Sequence, residues 1–228
     1  MDNKALFFII GIAGAILTLL GVWFLLRLGK VRMTPHQKIV FLTTSGILAA
    51  IASILRYIEV PLPFLPPFLK IDFSNIPALI GGFALGPWAG AAILLIKNLI
   101  YLPVTQTGGV GEIADFVVSL ALVLPAAMIY SKFRKRSGAM WGMLLGVAMM
   151  SFVFGPLMNY YVLIPLYSSF MPIGQIIAVA HAANPAIDGV WTYILYAVVP
   201  FNLFKSVVIC AITYLLYKPL SPVLHKYR

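Results

Sequence analysis

A succession of long apolar stretches, separated by prolines, glycines and charges, constrains this chain more than any other feature. A helix that crosses a membrane needs roughly 20 apolar residues in a row. The 228-residue chain is 62% hydrophobic and 10% charged, whereas soluble domains are about 25% charged. The breaks predict seven spans, at 5–26, 39–57, 74–85, 88–102, 113–130, 140–166 and 198–217. We therefore expect an all-α, polytopic membrane protein without a separate soluble domain.

The basic residues favour one orientation in the membrane. Cytoplasmic loops of membrane proteins carry an excess of lysine and arginine. With the N-terminus outside, the basic clusters fall in the cytoplasm: Arg27/Lys30/Arg32/Lys38, Lys132/Arg134/Lys135/Arg136 and Lys218/Lys226/Arg228. We expect a cell-membrane protein with its C-terminus in the cytoplasm. Because its basic residues are distributed in this way, we expect the chain, whose net charge is +10, to lie in the lipid bilayer and not to bind nucleic acid.

The first stretch, 5–26, is too long for the apolar core of a signal peptide, and its heavier positive flank follows it. We expect it to remain as an extra transmembrane helix. Residues 1–33 then form this helix and a basic linker, and residues 34–228 form the main membrane domain.

Motifs of enzyme active sites are missing from the sequence. His36, His181 and His225 are dispersed, and no Gly-x-Ser-x-Gly motif occurs. Lys205-Ser206 matches the end of a nucleotide-binding loop, but no glycine stands in the residues just before it. We expect no enzymatic activity and no cofactor. Because a nucleotide-binding motif is missing, uphill transport would take its energy from an ion gradient or another subunit.

Polar side chains within apolar spans are costly and are therefore functional candidates. The candidates that fall at a similar depth near the outer face are Glu112, Asp115, Asn159, Asn202 and Lys205. Asn202 and Lys205 are three residues apart, hence on one helix face. These residues predict a polar pocket that opens to the exterior, whereas we expect a structural role for Lys97 and Asn98.

The predicted outer loop at 59–70 is apolar and contains four prolines, which deny it a helix. Such a loop would pack on the mouth of the bundle or on a ligand. It could close over a flat ligand, with Phe68, Lys70 and Asp72 as candidate contacts.

The second stretch carries two sets of small residues spaced by four. One is Ser45, Ala49 and Ser53, and the other is Gly46 and Ala50. Small residues at this spacing let transmembrane helices approach closely. The pattern indicates either internal packing or the docking of a partner subunit, and the spacing leaves both open.

Three blocks of sequence, at 66–90 (PPFLKIDFSNIPALIGGFALGPWAG), 96–100 (IKNLI) and 111–116 (GEIADF), resemble the substrate-binding S components of energy-coupling factor (ECF) vitamin transporters. The similarity is greatest to the riboflavin-specific members. It implies a six-helix membrane fold that captures a vitamin outside and works with a membrane-embedded coupling protein and two cytoplasmic ATPases.

The resemblance also implies roles for particular residues. Asn159, Asn202 and Lys205 would contact the flavin, and one small-residue face of the second stretch would dock the coupling protein. Riboflavin would be a transported substrate rather than a cofactor. The alternatives are an S component for another vitamin, such as pantothenate or thiamine, and a stand-alone proton-coupled transporter that uses Asp115 or Glu112.

Overall fold

A computed structural model describes residues 34–225, apart from 63–64, 67–68, 106–107 and 170. The predicted helix at 5–26, the linker to residue 33 and Phe68 lie outside the described residues. The elements are α1 (Pro35–Tyr57), β1 (Val60–Pro61), β2 (Lys70–Ile71), α2 (Asn75–Leu85), α3 (Pro87–Tyr101), α4 (Val110–Phe133), α5 (Arg136–Ser168), α6 (Ile173–Ala183) and α7 (190–225).

The predicted all-α, multi-pass fold is confirmed. Five described helices are long and apolar enough to cross a membrane, namely α1, α4, α5, α7 and α3 together with the 3-10 turn Leu102–Val104 that continues it. The remaining predicted stretch of the core, 74–85, corresponds to α2, which has 11 residues and is buried from Asn75 to Ala84. At about 1.5 Å per residue, α2 is too short to cross alone and instead fills the middle of the bundle.

Helix α7 begins at Val190, so the predicted start at residue 198 is wrong. Its first turn is capped by Thr192, whose Oγ1 accepts hydrogen bonds from the backbone N–H groups of Asp188 (3.0 Å) and Gly189 (2.9 Å). These bonds satisfy N–H groups that a helix start leaves unpaired. The polar cap therefore lies at the start of the final span.

The helices alternate in direction, which gives the bundle two distinct ends. The basic end contains the start of α1 and the α4–α5 turn with Lys132–Arg136. There the guanidinium of Arg136 lies 4.9 Å from the ring centroid of Tyr214 in α7. The cavity end contains the last turn of α1, the β1–β2 pair and the first turns of α4 and α7. Strands β1 and β2 pair antiparallel there, with Val60 opposite Ile71, and bracket the proline-rich segment.

Toward the basic end, α4 and α5 pack backbone to backbone. A Cβ atom built on Gly146 would lie 2.4 Å from the carbonyl oxygen of Leu122, and one on Gly142 would lie 2.7 Å from that of Ala126. Only glycine fits at these two contacts. The close approach encloses an apolar core that includes Leu79 and Phe83 of α2.

Candidate ligand-binding cavity

A cavity of about 130 Å³ lies at the cavity end, between α1, β2, α4, α5 and α7. Its polar lining includes five residues that the sequence analysis singled out: Lys70, Asp115, Asn159, Asn202 and Lys205. Its apolar lining includes Leu69, Val118, Met150, Leu163 and Phe201. A mostly apolar wall with a few convergent polar groups is typical of a small-molecule site.

Asn159 of α5 and Asn202 of α7 meet beside Gly155. The Nδ2 of Asn159 donates to the Gly155 carbonyl at 3.0 Å, and the Nδ2 of Asn202 donates to the Val198 carbonyl at 2.9 Å. A Cβ atom on Gly155 would lie 2.7 Å from Asn202 Nδ2, so the glycine makes room for this amide. Each bond uses one of the two N–H groups of its amide and fixes the side chain.

Turns of π-helix interrupt the two helices that carry these amides. They occupy Met149–Phe154 and Asn159–Leu163 in α5, and Ile194–Val198 in α7. A π turn inserts an extra residue and rotates the side chains that follow, and such turns are frequent at functional sites. Two of the three contain cavity-lining residues, namely Met150, Asn159 and Leu163.

Buried charges pair across the wall of the cavity. Lys205 Nζ lies 2.7 Å from Asp72 Oδ2, and Arg56 Nη1 lies 3.0 Å from the same oxygen. Lys97 Nζ lies 3.0 Å from Asp115 Oδ2, and Lys205 Nζ lies 3.9 Å from Asp115 Oδ1. A carboxylate at the centre of such a cluster is stabilised only if its cations stay in place, because removal of one partner leaves a buried charge unpaired.

Asp72, which lies between β2 and α2, is fully buried. Burial favours its neutral form, but the nearby cations of Lys205, Lys97 and Arg56 outweigh this effect and hold the pKa of Asp72 well below its usual value. Its Oδ1 also accepts hydrogen bonds from the backbone N–H of Ser74, at 3.0 Å, and from the Ser74 hydroxyl. Asp72 is therefore an ionised anchor behind Lys205, rather than part of the cavity surface.

Lys97 joins three helices at the base of this cluster. Its ammonium donates to Ser74 Oγ and to Asn75 Oδ1, both at 2.7 Å. The Nδ2 of Asn75 in turn donates to Ser119 Oγ of α4 at 2.9 Å. The bonds connect α2, α3 and α4, which agrees with the expected structural role of Lys97. Asn98 donates to the Leu94 carbonyl in its own helix at 2.9 Å.

A second group of polar residues lies above the cavity, at the β1–β2 pair. Lys70 Nζ lies 2.9 Å from Glu59 Oε2, and the Tyr101 hydroxyl donates to Glu59 Oε1 at 3.3 Å. The guanidinium of Arg56 lies 4.8 Å from the centre of the Tyr101 ring. These contacts tie the proline-rich segment to α1 and α3.

The remaining predicted site residue, Glu112, is buried beside the cavity and accepts a hydrogen bond from Thr105 Oγ1 at 2.7 Å. Sequence reasoning missed Arg56, which lines the cavity. Its position could have indicated a role, because Arg56 is a basic residue at the outer end of α1, whereas the positive-inside rule expects basic residues mainly in the cytoplasm.

The two small-residue sets of α1 point in different directions. Ser45, Ala49 and Ser53 are buried against the bundle, whereas Gly46 and Ala50 are exposed. A Cβ atom on Gly46 would meet nothing within 4 Å. Internal packing thus accounts for the first set, and the second set lies on an open face.

Comparison with known proteins gives a consistent result. The family model "ECF transporter, substrate-specific component" matches residues 40–217. The chain is 34% identical over 192 residues to the riboflavin transporter RibU of Staphylococcus aureus (strain TCH60), covering 84% of this chain and 94% of that protein. It is 31% identical over 195 residues to the riboflavin transporter FmnP of Bacillus subtilis (strain 168), covering 84% and 97%.

A solved structure described as "Structure and mechanism of the S component of a bacterial ECF transporter" has the same fold. Its TM-score to this chain is 0.64 at 33% identity, covering 81% of this chain and 96% of that one. The resemblance inferred from the sequence is thereby confirmed, and it assigns the chain to transport rather than to catalysis. This membrane protein belongs to the substrate-specific components of ECF transporters.

Proposed function

We propose that this chain is the high-affinity riboflavin-binding subunit of an ATP-driven ECF importer, and that it captures riboflavin in the cavity from the extracellular side. The observation that carries the proposal is the convergence of Asn159, Asn202 and Lys205 on one buried, mostly apolar cavity. Relatives that match most of the chain at 31–34% identity are named riboflavin transporters. The cavity end faces outward because the basic clusters favour a cytoplasmic location for the opposite end.

The charges around the cavity suit an uncharged ligand. The cations in and above its wall are Arg56, Lys70, Lys97 and Lys205, and the anions are Glu59, Asp72, Glu112 and Asp115. The two groups balance, so a ligand with a net charge would bring an uncompensated charge into a buried site. Riboflavin is neutral, whereas pantothenate is an anion and thiamine a cation.

The apolar lining suits the flat ring system of a flavin, and the amides suit its carbonyl and imide groups. An asparagine side chain offers both donors and an acceptor, and the ammonium of Lys205 offers donors only. Sites for drug-sized molecules enclose about 300–1,000 Å³, more than the roughly 130 Å³ found here. We therefore expect the β1–β2 pair, with Lys70, to move outward as the ligand enters and to close over it.

The exposed face of α1 that carries Gly46 and Ala50 is the proposed docking surface for a partner subunit. Small residues on an open face allow another transmembrane helix to approach closely. This face would dock the membrane-embedded coupling protein, through which two cytoplasmic ATPases supply energy.

A substitution on this face tests the docking role. Gly46→Leu should abolish co-purification with the coupling protein and leave riboflavin binding unchanged. Gly174→Leu, at a second glycine with open space around it, is the matched control.

Ligand identity is tested by titrating the purified protein with riboflavin, thiamine and pantothenate. We expect saturable binding of riboflavin alone, with quenching of its fluorescence, and a yellow protein after purification from cells. A colourless protein that binds none of the added riboflavin would overturn the proposal. Uptake that persists without the ATPase subunits, and that collapses with the proton gradient, would favour the stand-alone transporter instead.

A further inference from the structure

Arg56 occupies a position that the pairing of charges alone does not explain. It lies in the last turn of α1, and its side chain is 14% exposed. One terminal nitrogen, Nη1, lies 3.0 Å from Asp72 Oδ2 and 3.8 Å from Glu59 Oε1. The face of the guanidinium rests on Tyr101. The group is therefore held from several sides, which fixes the direction of its remaining N–H groups.

The Nε–H of Arg56 is shielded from solvent and has no hydrogen-bond partner in the part of the chain that the structure describes. A buried donor without a partner is unfavourable, and such a group in a native structure calls for an explanation. Arg56 lines the cavity. An acceptor on a molecule bound there would supply the missing partner.

A second atom in the same wall supports this reading. Asp115 Oδ2 is paired with Lys97 by charge, but it receives no hydrogen bond from the described residues. The wall thus offers a fixed donor on Arg56 and an acceptor on Asp115. This combination suits the edge of a heterocycle in which a ring N–H stands beside a carbonyl oxygen.

We infer that Arg56 contacts the ligand directly, and that its Nε–H donates a hydrogen bond to an acceptor on the edge of the ligand's ring system. This inference rests on the proposed function and adds a residue that orients the ring within the cavity. Arg56 would then have two separate tasks. Its Nη1 pairs with Asp72, and its Nε–H donates a hydrogen bond to the ligand.

Two substitutions separate these tasks, because each keeps a different nitrogen. In Arg56→Gln the amide nitrogen stands at the position of Nε, but the charge and the Nη groups are lost. In Arg56→Lys the charge that pairs with Asp72 is kept, but a carbon replaces Nε. Tyr101→Phe is the control, since it removes the hydrogen bond to Glu59 and leaves Arg56 intact.

The test is titration of each variant with riboflavin and with lumiflavin, which has the same ring system and lacks the sugar-alcohol tail. We expect Arg56→Lys to weaken both ligands by at least tenfold while its ligand-free melting temperature stays close to that of the wild type. Arg56→Gln should melt lower but bind within about threefold of the wild type, as should Tyr101→Phe.

A purely structural role for Arg56 gives the opposite order, with Arg56→Lys binding as well as the wild type and Arg56→Gln binding worse. That result, or a loss in Arg56→Lys that affects riboflavin and spares lumiflavin, would overturn the inference. If one variant does not fold, the other still decides between the two roles. Failure of the proposed function is a separate result, in which the wild type itself does not bind riboflavin.

Discussion

Toward the basic end of the bundle α4 and α5 touch backbone to backbone, whereas at the cavity end the same two helices line a cavity with charged and amide side chains. The first region is stabilised by close packing, because the backbones at Gly142 and Gly146 leave no room even for a methyl group. The second is held by ion pairs such as Lys205–Asp72 and by side chains that bond their own helices. Close-packed interiors deform little, and π turns are frequent at functional sites. We therefore expect ligand binding to change the cavity end and to leave the other region unchanged.

The largest effect is expected from Lys97→Met, which leaves the largely buried carboxylate of Asp115 without its nearest cation. Loss of one partner of a buried ion pair costs about 3–5 kcal/mol. The free energy of unfolding in detergent, measured by denaturant titration, should fall by this amount. Lys132→Met, which removes an exposed lysine at the basic end, is the control and should change little. If the two variants are equally stable, the cavity end does not depend on its charges for its fold.

Gly146→Ala tests the packed region. The new methyl group would lie 2.4 Å from the Leu122 carbonyl oxygen, so α4 and α5 must separate. Overpacking of this kind costs about 1–3 kcal/mol. We expect a lower melting temperature with unchanged riboflavin affinity of the folded fraction. Gly174→Ala, where the added methyl group meets nothing within 4 Å, should melt at or above the wild-type temperature. Weaker binding in Gly146→Ala would mean that the two regions are coupled.

Asn202→Ala should show the reverse pattern, with a loss of affinity and little loss of stability. Removal of a hydrogen-bonding partner from a buried complex costs about 1–3 kcal/mol, or about 5- to 150-fold in the riboflavin dissociation constant. Asn159→Ala should behave in the same way. Asn184→Ala, at a residue outside the cavity lining, serves as the comparison. Unchanged affinity in both cavity variants would remove the amides from the proposed site.

The smallest effect is expected from Lys70→Ala. The ion pair between Lys70 and Glu59 is partly exposed, and such pairs contribute about 0.2–1 kcal/mol. Melting temperature should hardly change, whereas the dissociation rate of riboflavin should rise a few-fold, because the β1–β2 segment is held less firmly over the cavity. Stopped-flow displacement of bound riboflavin measures this rate. An unchanged rate would show that the contact with Glu59 does not control the segment.

The helices could be predicted from the sequence because their signals are local. Apolar stretches bounded by prolines and charges placed the described spans, and the depth of Asn159 and Asn202 along their helices predicted that they would meet. The start of α7 was missed because its cap, Asp188 with Thr192, resembles a polar loop.

The partners of the buried charges could not be predicted in this way. Lys205 and Asp72 are 133 residues apart, and neither hydropathy nor spacing relates them. Asp72 was expected at the ligand, but it lies behind Lys205 and is fully buried. Arg56 was missed for a related reason, since its role depends on Asp72 and Tyr101, which approach it only in the folded bundle.

Hydrogen exchange with and without riboflavin tests the central claim most directly. If the ligand binds between α4, α5 and α7 at the cavity end, amides in residues 69–75, 110–118, 155–168 and 190–206 should gain protection. Amides in the packed segments 78–84, 120–132 and 138–147 should exchange at the same rate in both samples. Protection that is spread evenly over all these segments, or found only in the packed ones, would contradict the account.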